Sequence, residues 1–321
     1  MPNDSGFAPH ALRAETVRAA LSGLTASPKT LPATLFYDQE GCRLFYRITE
    51  LPEYYLTRTE TGLLGALGRS LVPGGFSNAA LIEFGGSDEA KACYLLDQRD
   101  DRGRRVFTTY VSIDVAEAAL AAMRARLEKS DPDLAVVPIV ADFNDKPRLP
   151  PLGRHRLGFF PGSTIGNLDP DGAVRFLATA RESLGPGSWF LLGADLRKDP
   201  AILLPAYNDA AGVTAEFNLN LLRRLNREAG ADFKLNNFRH QAVWNDVISR
   251  IEMHLVSRCD QVVHLAGHSI GFTEGESIHT ENSYKWTRQA VTAMAGAAGW
   301  APHRFWTDPQ DLFGIFLLRH A

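Results

Sequence analysis

The 321-residue sequence has only three cysteines, Cys42, Cys93 and Cys259. They are odd in number, far apart and outside any C-x-x-C pair, which argues against a disulfide framework and against a thiolate metal site. No apolar run approaches the roughly 20 residues needed to cross a bilayer. The amino-terminal "MPNDSGFAPHALRAE" has neither a basic nor an apolar targeting region, so a cytoplasmic protein with no membrane partner is expected. An excess of charge is lacking too: 34 Lys and Arg against 37 Asp and Glu leave a net charge of -3, which gives no electrostatic reason to expect nucleic acid. There is no internal repeat and no low-complexity run. A composition of 45% hydrophobic and 22% charged residues suits one large core or two modest ones, with a small molecule as the default ligand.

What is present from residue 80 onward is an alternation of short apolar runs with amphipathic stretches. "ALIEF" (80–84), "FTTYVSID" (107–114), "LAVVPIV" (134–140), "RLGFFP" (156–161) and "SWFLLGADL" (188–196) read as five strands. Helical segments such as "AEAALAAMRARLEK" and "AVRFLATARESLG" lie between them, the second ending at Gly185. This β-α-β rhythm predicts a mostly parallel sheet. After Asp195 the rhythm changes: "TAEFNLNLLRRLNREAG" reads as a helix with Thr214 as N-cap and Gly230 as C-cap, and "QAVWND", "RIEMHLVSR" and "QVVHLAG" alternate like antiparallel strands. Helix "TRQAVTAMAGAAG" and strands "HRFWTD" and "GIFLLRH" then resume the first rhythm. The expected division is an amino-terminal segment 1–60, a ligand-binding domain 61–196, an inserted α+β domain 197–287 and a completing segment 288–321. Six aromatics between residues 31 and 60 are expected to cover the sheet; against that reading, Tyr37, Tyr54 and Tyr55 sit beside Asp, Glu or Pro, which suggests hydroxyls at a wet boundary.

The strand ends carry the chemistry. "PGSTIGN" (161–167) leaves the carboxyl end of a buried strand, where ligands bind in open α/β sheets. The first strand runs into Gly85, Gly86 and Ser87, a turn that lets a ligand approach the backbone. It lacks G-x-G-x-x-G, and Asp88 and Glu89 stand where a phosphate would lie, so an adenosyl ligand without phosphates fits better than a dinucleotide. Asp114 ends the second strand, where a carboxylate could accept both ribose hydroxyls. Asp142 follows the third, where it could accept an adenine amino hydrogen with Phe143 against the ring. Either acid alone could be a solvated loop residue or a helix cap. Their placement at successive strand ends suggests a class I methyltransferase using S-adenosyl-L-methionine, a Rossmann-like sheet ending in an antiparallel hairpin.

"LFYDQEGCRLFYRITELPEYYLTRTE", "FFPGSTIGNLDP", "LLGADLRKDP", "AYNDAAGVTAEFNLNLLRRLNREAGADF", "RIEM" and "TENSYKW" resemble the histidine-specific Nα-methyltransferases of ergothioneine biosynthesis. The resemblance runs over nearly the whole chain from about residue 20. It implies that a substrate domain interrupts the adenosyl-binding domain and that L-histidine lies between them. It further implies that Tyr54, Gly162, Asn167 and Tyr207 surround the amino acid's amino and carboxylate groups, with Tyr54, Asn167 and Tyr207 serving catalysis. Met253, Glu281 and Ser283 would surround the imidazole; Tyr37, Gly85, Lys91, Asp114, Asp142 and Phe143 would contact S-adenosyl-L-methionine. Three transfers would give hercynine, with no metal and with the enzyme acting as a monomer. "PGSTIGN" would be the small-residue wall between donor and acceptor. One departure is visible: the family usually reads G-S-G after the first strand, and this chain has Gly85, Gly86 and Ser87.

Other readings remain. A methyltransferase acting on another amino acid would share the fold. "GSTIG" is one residue type from the G-x-S-x-G elbow of hydrolases, but a branched threonine stands at the nucleophile position. "HLAGH" places His264 and His268 four apart, but Gly267 and the strand-like context spoil a helical metal pair. A protein that binds the cofactor without transferring methyl is the third alternative.

Overall fold

The computed structural model describes residues 8–86 and 88–320; Ser87, the departure noted above, lies outside them. In chain order the helices are α1 (Ala8–Leu24), α2 (Gln39–Thr49), α3 (Tyr55–Leu67), α4 (Ala90–Leu96), α5 (Glu117–Ser130), α6 (Pro170–Leu184), α7 (Pro200–Tyr207), α8 (Val213–Ala229) and α9 (Arg288–Ala297). The strands, apart from a two-residue piece at Lys29–Thr30, are β1 (Ala79–Phe84), β2 (Phe107–Asp114), β3 (Ala135–Val140), β4 (Arg156–Phe160), β5 (Trp189–Asp195), β6 (Phe238–Asn245), β7 (Arg250–Ser257), β8 (Gln261–Leu265), β9 (His268–Phe272), β10 (Ser277–Tyr284), β11 (Trp300–Thr307) and β12 (Phe313–His320). The chain divides into two compact units. One takes the described residues up to Tyr55 together with Asp199–Ser283, and the other takes Leu56–Lys198 together with the chain from Tyr284 onward.

The larger unit holds a seven-stranded sheet in the order β11-β12-β5-β4-β1-β2-β3. β1 to β5 run parallel, while β12 lies antiparallel to β5 and β11 antiparallel to β12. The five strands read from the sequence are all present, with the terminal hairpin. Strands covered on both faces bury nearly continuous apolar runs rather than alternate residues, and all six residues of β1 are buried, Glu83 being the one polar residue among them. Phe84, Phe160, Phe176, Phe190 and Trp300 fill one face with α6 and α9. Tyr110, Met123, Phe159, Leu191 and Phe313 fill the other. From β1 the chain steps outward through β2 and β3, then returns to β4 on the opposite side of β1. The strand order therefore reverses between β1 and β4, and the crevice at such a reversal is where a ligand fits.

The smaller unit carries a sheet in the order Lys29–Thr30, β10, β7, β6, and the hairpin β8–β9. Helix α8 packs against α1, α2 and β6, with Phe217, Leu221 and Leu225 buried along one stripe. Its start corrects the sequence reading. Thr214 lies inside the helix; Gly212 precedes it at φ +73°, and the Asp209 carboxylate takes the N–H groups of Val213 and Thr214 at 2.9 and 2.8 Å. An acid four residues upstream does the capping that a threonine was expected to do. Gly230 ends the helix in the left-handed region at φ +65°. Of the amino-terminal aromatics, Phe36 stacks on Phe217 of α8 with centroids 4.4 Å apart, and Tyr37 and Phe45 meet the same ring.

Candidate active site

In the larger unit, β1 turns sharply at Gly85, which adopts φ +78°, a conformation that favours glycine. The Phe143 ring stands where it would be 3.5 Å from a Cβ at this position, and it is held edge-on to Phe160 and Phe176. Gly86 is equally constrained: a Cβ there would lie 2.5 Å from Ser112 Oγ, and Ser112 donates its hydroxyl to the Gly86 carbonyl. The turn closes on β2 there. Beneath it Glu83 is fully buried, and burial pushes its carboxyl up to about 8; the Tyr110 hydroxyl donates to it at 2.5 Å.

Asp114 ends β2 with its carboxyl raised by burial, opposed by hydrogen bonds from the backbone N–H groups of Ala116 and Val115. A desolvated carboxylate served only by backbone N–H groups still has capacity for a neutral diol. Asp142 accepts from Asn144 twice, through the backbone N–H at 2.8 Å and the side-chain amide at 2.9 Å, both at Oδ1. These bonds show a turn-forming role for each acid and leave acceptor positions over. With the open turn at Gly85 and the ring of Phe143, these residues suit an adenosyl group.

Sequence reasoning missed Glu60. It lies on α3 four residues from Leu56 and four from Leu64, both buried, and is itself 1% exposed. Its carboxylate accepts from Lys91 Nζ at 2.6 Å and from the Gly162 N–H at 2.9 Å to each oxygen. One charge thereby ties α3, α4 and the loop after β4. The available signal was a lone acid on an apolar helical stripe. Also missed was the buried cluster at the end of β5, where Asp195 pairs with Lys198 at 2.6 Å and Lys285 at 2.7 Å. Burial pushes the Lys198 ammonium down to about 8 against the pull of Asp195.

The loop "PGSTIGN" is set by its backbone. Gly162 and Ser163 are both left-handed, at φ +79° and +57°; Ser163 Oγ accepts the Asp195 N–H at 2.8 Å, which offsets part of the roughly 1 kcal/mol cost for a non-glycine residue. A Cβ at Gly166 would lie 2.8 Å from the Tyr284 carbonyl. Two of the small residues are therefore demanded by the local fold. Asn167 is exposed, and the following helix α6 is capped by Asp169, which accepts the Gly172 N–H at 2.6 Å.

In the smaller unit the structure brings Tyr54, Tyr207 and Ser283 together. The Tyr207 hydroxyl and Ser283 Oγ are 2.8 Å apart, and the Tyr54 ring lies edge-on 6.3 Å from that of Tyr207. Tyr207 ends α7, and its carbonyl meets His240 Nε2 at 2.8 Å. Met253 is 2% exposed on β7, and its carbonyl takes the Thr280 hydroxyl at 3.0 Å. The regular alternation of β10 holds from Ser277 to Glu281 and then breaks, since Asn282 is half-buried and Ser283 and Tyr284 are both buried. Glu281 is half-buried and Tyr37 is 42% exposed.

A parallel sheet whose strand order reverses between β1 and β4, closed by an antiparallel terminal hairpin, is the fold of a class I methyltransferase. Residues 16–320 match the family model described as histidine-specific methyltransferase, SAM-dependent, and the chain belongs to that family. It is 41% identical over 303 residues to a histidine N-alpha-methyltransferase of Mycolicibacterium smegmatis, covering 94% of this chain and 93% of that one. The corresponding Mycobacterium tuberculosis protein is 39% identical over 302 residues, with the same coverage. Ergothioneine biosynthesis protein 1 of Neurospora crassa is 29% identical over 91% of this chain and 33% of that protein.

Proposed function

We propose that the protein transfers methyl groups from S-adenosyl-L-methionine to the α-amino nitrogen of L-histidine, three times, giving hercynine on the route to ergothioneine. The names of the mycobacterial relatives support the substrate. The observation that carries the reading into this chain is the buried Tyr54, Tyr207 and Ser283 cluster with its Tyr207–Ser283 hydrogen bond, which joins a tyrosine assigned to the amino and carboxylate end to a serine assigned to the imidazole. We assign residues 61–196 and 288–321 to donor binding, and residues 1–60 and 197–287 to the amino acid.

On this reading Gly85, Lys91, Asp114, Asp142, Phe143 and Tyr37 hold the donor. When bound, S-adenosyl-L-methionine supplies an electrophilic methyl group on a sulfonium. The chain's own task is then orientation. Each transfer needs the neutral amine, a minor fraction at pH 7, and each methylated ammonium loses a proton to water before the next transfer. Tyr54, Asn167 and Tyr207 accept amine hydrogens and hold the lone pair in line, and Gly162 leaves room for the approach. Charge moves from sulfur to nitrogen without being created, so the residues need only keep acceptor oxygens around the amine. The reaction is read as metal-free, cytoplasmic and performed by a monomer without nucleic acid or membrane. Met253, Glu281 and Ser283 read the imidazole, Glu281 accepting one ring N–H and Ser283 donating to the other nitrogen.

Incubation with S-adenosyl-L-methionine and each of the twenty amino acids, followed by mass analysis, tests the assignment. A gain of three methyl groups on histidine alone is expected. Preferential methylation of another amino acid, or of none, contradicts it.

A further inference from the structure

Glu252 and His254 stand two residues apart on β7, and His279 stands on the neighbouring β10. All three are half-buried, and each can offer one ligand atom such that the three atoms lie within 4.8 Å of one another. The two imidazoles are nearly parallel, 22° between planes, with centroids 4.9 Å apart. The rings are stacked, so sharing one metal requires a ring to turn until the two in-plane lone pairs converge.

The surrounding hydrogen bonds are those that ligands of this kind require. His279 Nε2 lies 3.1 Å from the Glu281 carbonyl, which fixes the N–H on that nitrogen and leaves Nδ1 with its lone pair. Glu252 Oε1 accepts from Arg250 Nε and Nη2 at 2.8 and 2.7 Å and from Asn245 Nδ2 at 3.0 Å. Glu252 Oε2 instead lies 3.2 Å from His254 Nε2. His254 Nδ1 is buried and has no hydrogen-bond partner among the described residues. A ring with one orphaned nitrogen and the other against a carboxylate is poorly satisfied as it stands.

We propose that Glu252, His254 and His279 form a binding site for a divalent transition metal, of the two-imidazole, one-carboxylate type suited to zinc, with water completing the coordination. The site belongs to the smaller unit; none of its three ligands is assigned to methyl transfer, though the Glu281 carbonyl bonds His279. Arg250 opposes a dication, so affinity is expected to be roughly micromolar rather than that of a closed structural zinc site. A metal that binds the folded chain and not the unfolded one raises the melting temperature.

The test uses the full chain without a histidine tag, freed of metal by chelation. Zinc is titrated by calorimetry, and cobalt(II) is followed by visible absorption. One equivalent is expected, with an intensified low-symmetry cobalt spectrum and a zinc-dependent rise in melting temperature. His254→Ala and His279→Ala should each weaken binding at least tenfold, while His268→Ala, exposed on β9, should leave it unchanged. Glu252→Gln, nearly isosteric, is expected to show the same loss and serves if the alanine variants fail to fold. No saturable binding by the wild type, or undiminished binding by the Glu252→Gln and His variants, would overturn the proposal.

Discussion

Asp114 is the residue on which donor binding is most directly tested. Its carboxylate already takes backbone N–H groups, and its desolvation is offset further when a ribose diol donates to it. Asp114→Ala should weaken S-adenosyl-L-methionine binding by about 3 to 6 kcal/mol, the range for two hydrogen bonds to a charged group, and leave histidine binding less affected. Titration calorimetry with each ligand measures both; unchanged donor affinity would place the nucleotide elsewhere. Glu281 tests the other end. If it accepts an imidazole N–H, apolar rings are rejected because they strand its carboxylate, by factors up to about 10⁴ to 10⁵. Glu281→Ala should then cut histidine turnover and raise acceptance of phenylalanine relative to histidine, with Met253 supplying an apolar wall. Competition assays read that ratio, and an unchanged preference for histidine would remove Glu281 from substrate recognition.

At the level of elements, the loop between β4 and α6 separates two roles that the sequence leaves entangled. Asn167 could have been the cap of the helix that follows. Asp169 holds that position, with its carboxylate on the Gly172 N–H. Asp169→Ala should therefore cost about 1 kcal/mol of stability, whereas Asn167→Ala should leave the melting curve unmoved and lower kcat for histidine, because a misdirected amine no longer lines up with the methyl group. Melting curves beside steady-state kinetics decide, and a stability loss in Asn167→Ala with normal kinetics would reverse the assignment. The inner strands were legible because burial on both faces writes nearly continuous apolar runs, as in "LGFF" and "FLLGA". The start of α8 was not, because its cap comes from Asp209, outside the N-cap position that a local pattern searches. Glu60 was hidden for a related reason: its partners, Lys91 and the Gly162 N–H, are 31 and 102 residues away.

Across the whole molecule, the Rossmann-like sheet and its terminal hairpin were readable from strand spacing, and the family from long shared strings. The ion-paired interior was not, since nothing in "GADLRK" or "SYKW" shows that Asp195, Lys198 and Lys285 meet. Buried ionisable groups also give the fold a pH dependence. Glu83 has a folded pKa of about 8 against an ordinary value of 4.5, through burial. Between about pH 5 and 8 the folded chain then binds one proton more than the unfolded chain, and this group makes stability fall with rising pH by about 1.4 kcal/mol per unit. Urea unfolding at several pH values should show a shallower fall in Glu83→Gln than in the wild type; equal slopes would mean that Glu83 is ionised in the fold. The central claim concerns which nitrogen receives the methyl groups. Histidine labelled with ¹⁵N only at the α-amino position, incubated with the enzyme and S-adenosyl-L-methionine, can be followed by proton–nitrogen correlation. The account predicts methyl protons coupled to the labelled nitrogen and a final product carrying three methyl groups there. Methyl signals without that coupling, placing the groups on the imidazole ring, would contradict it.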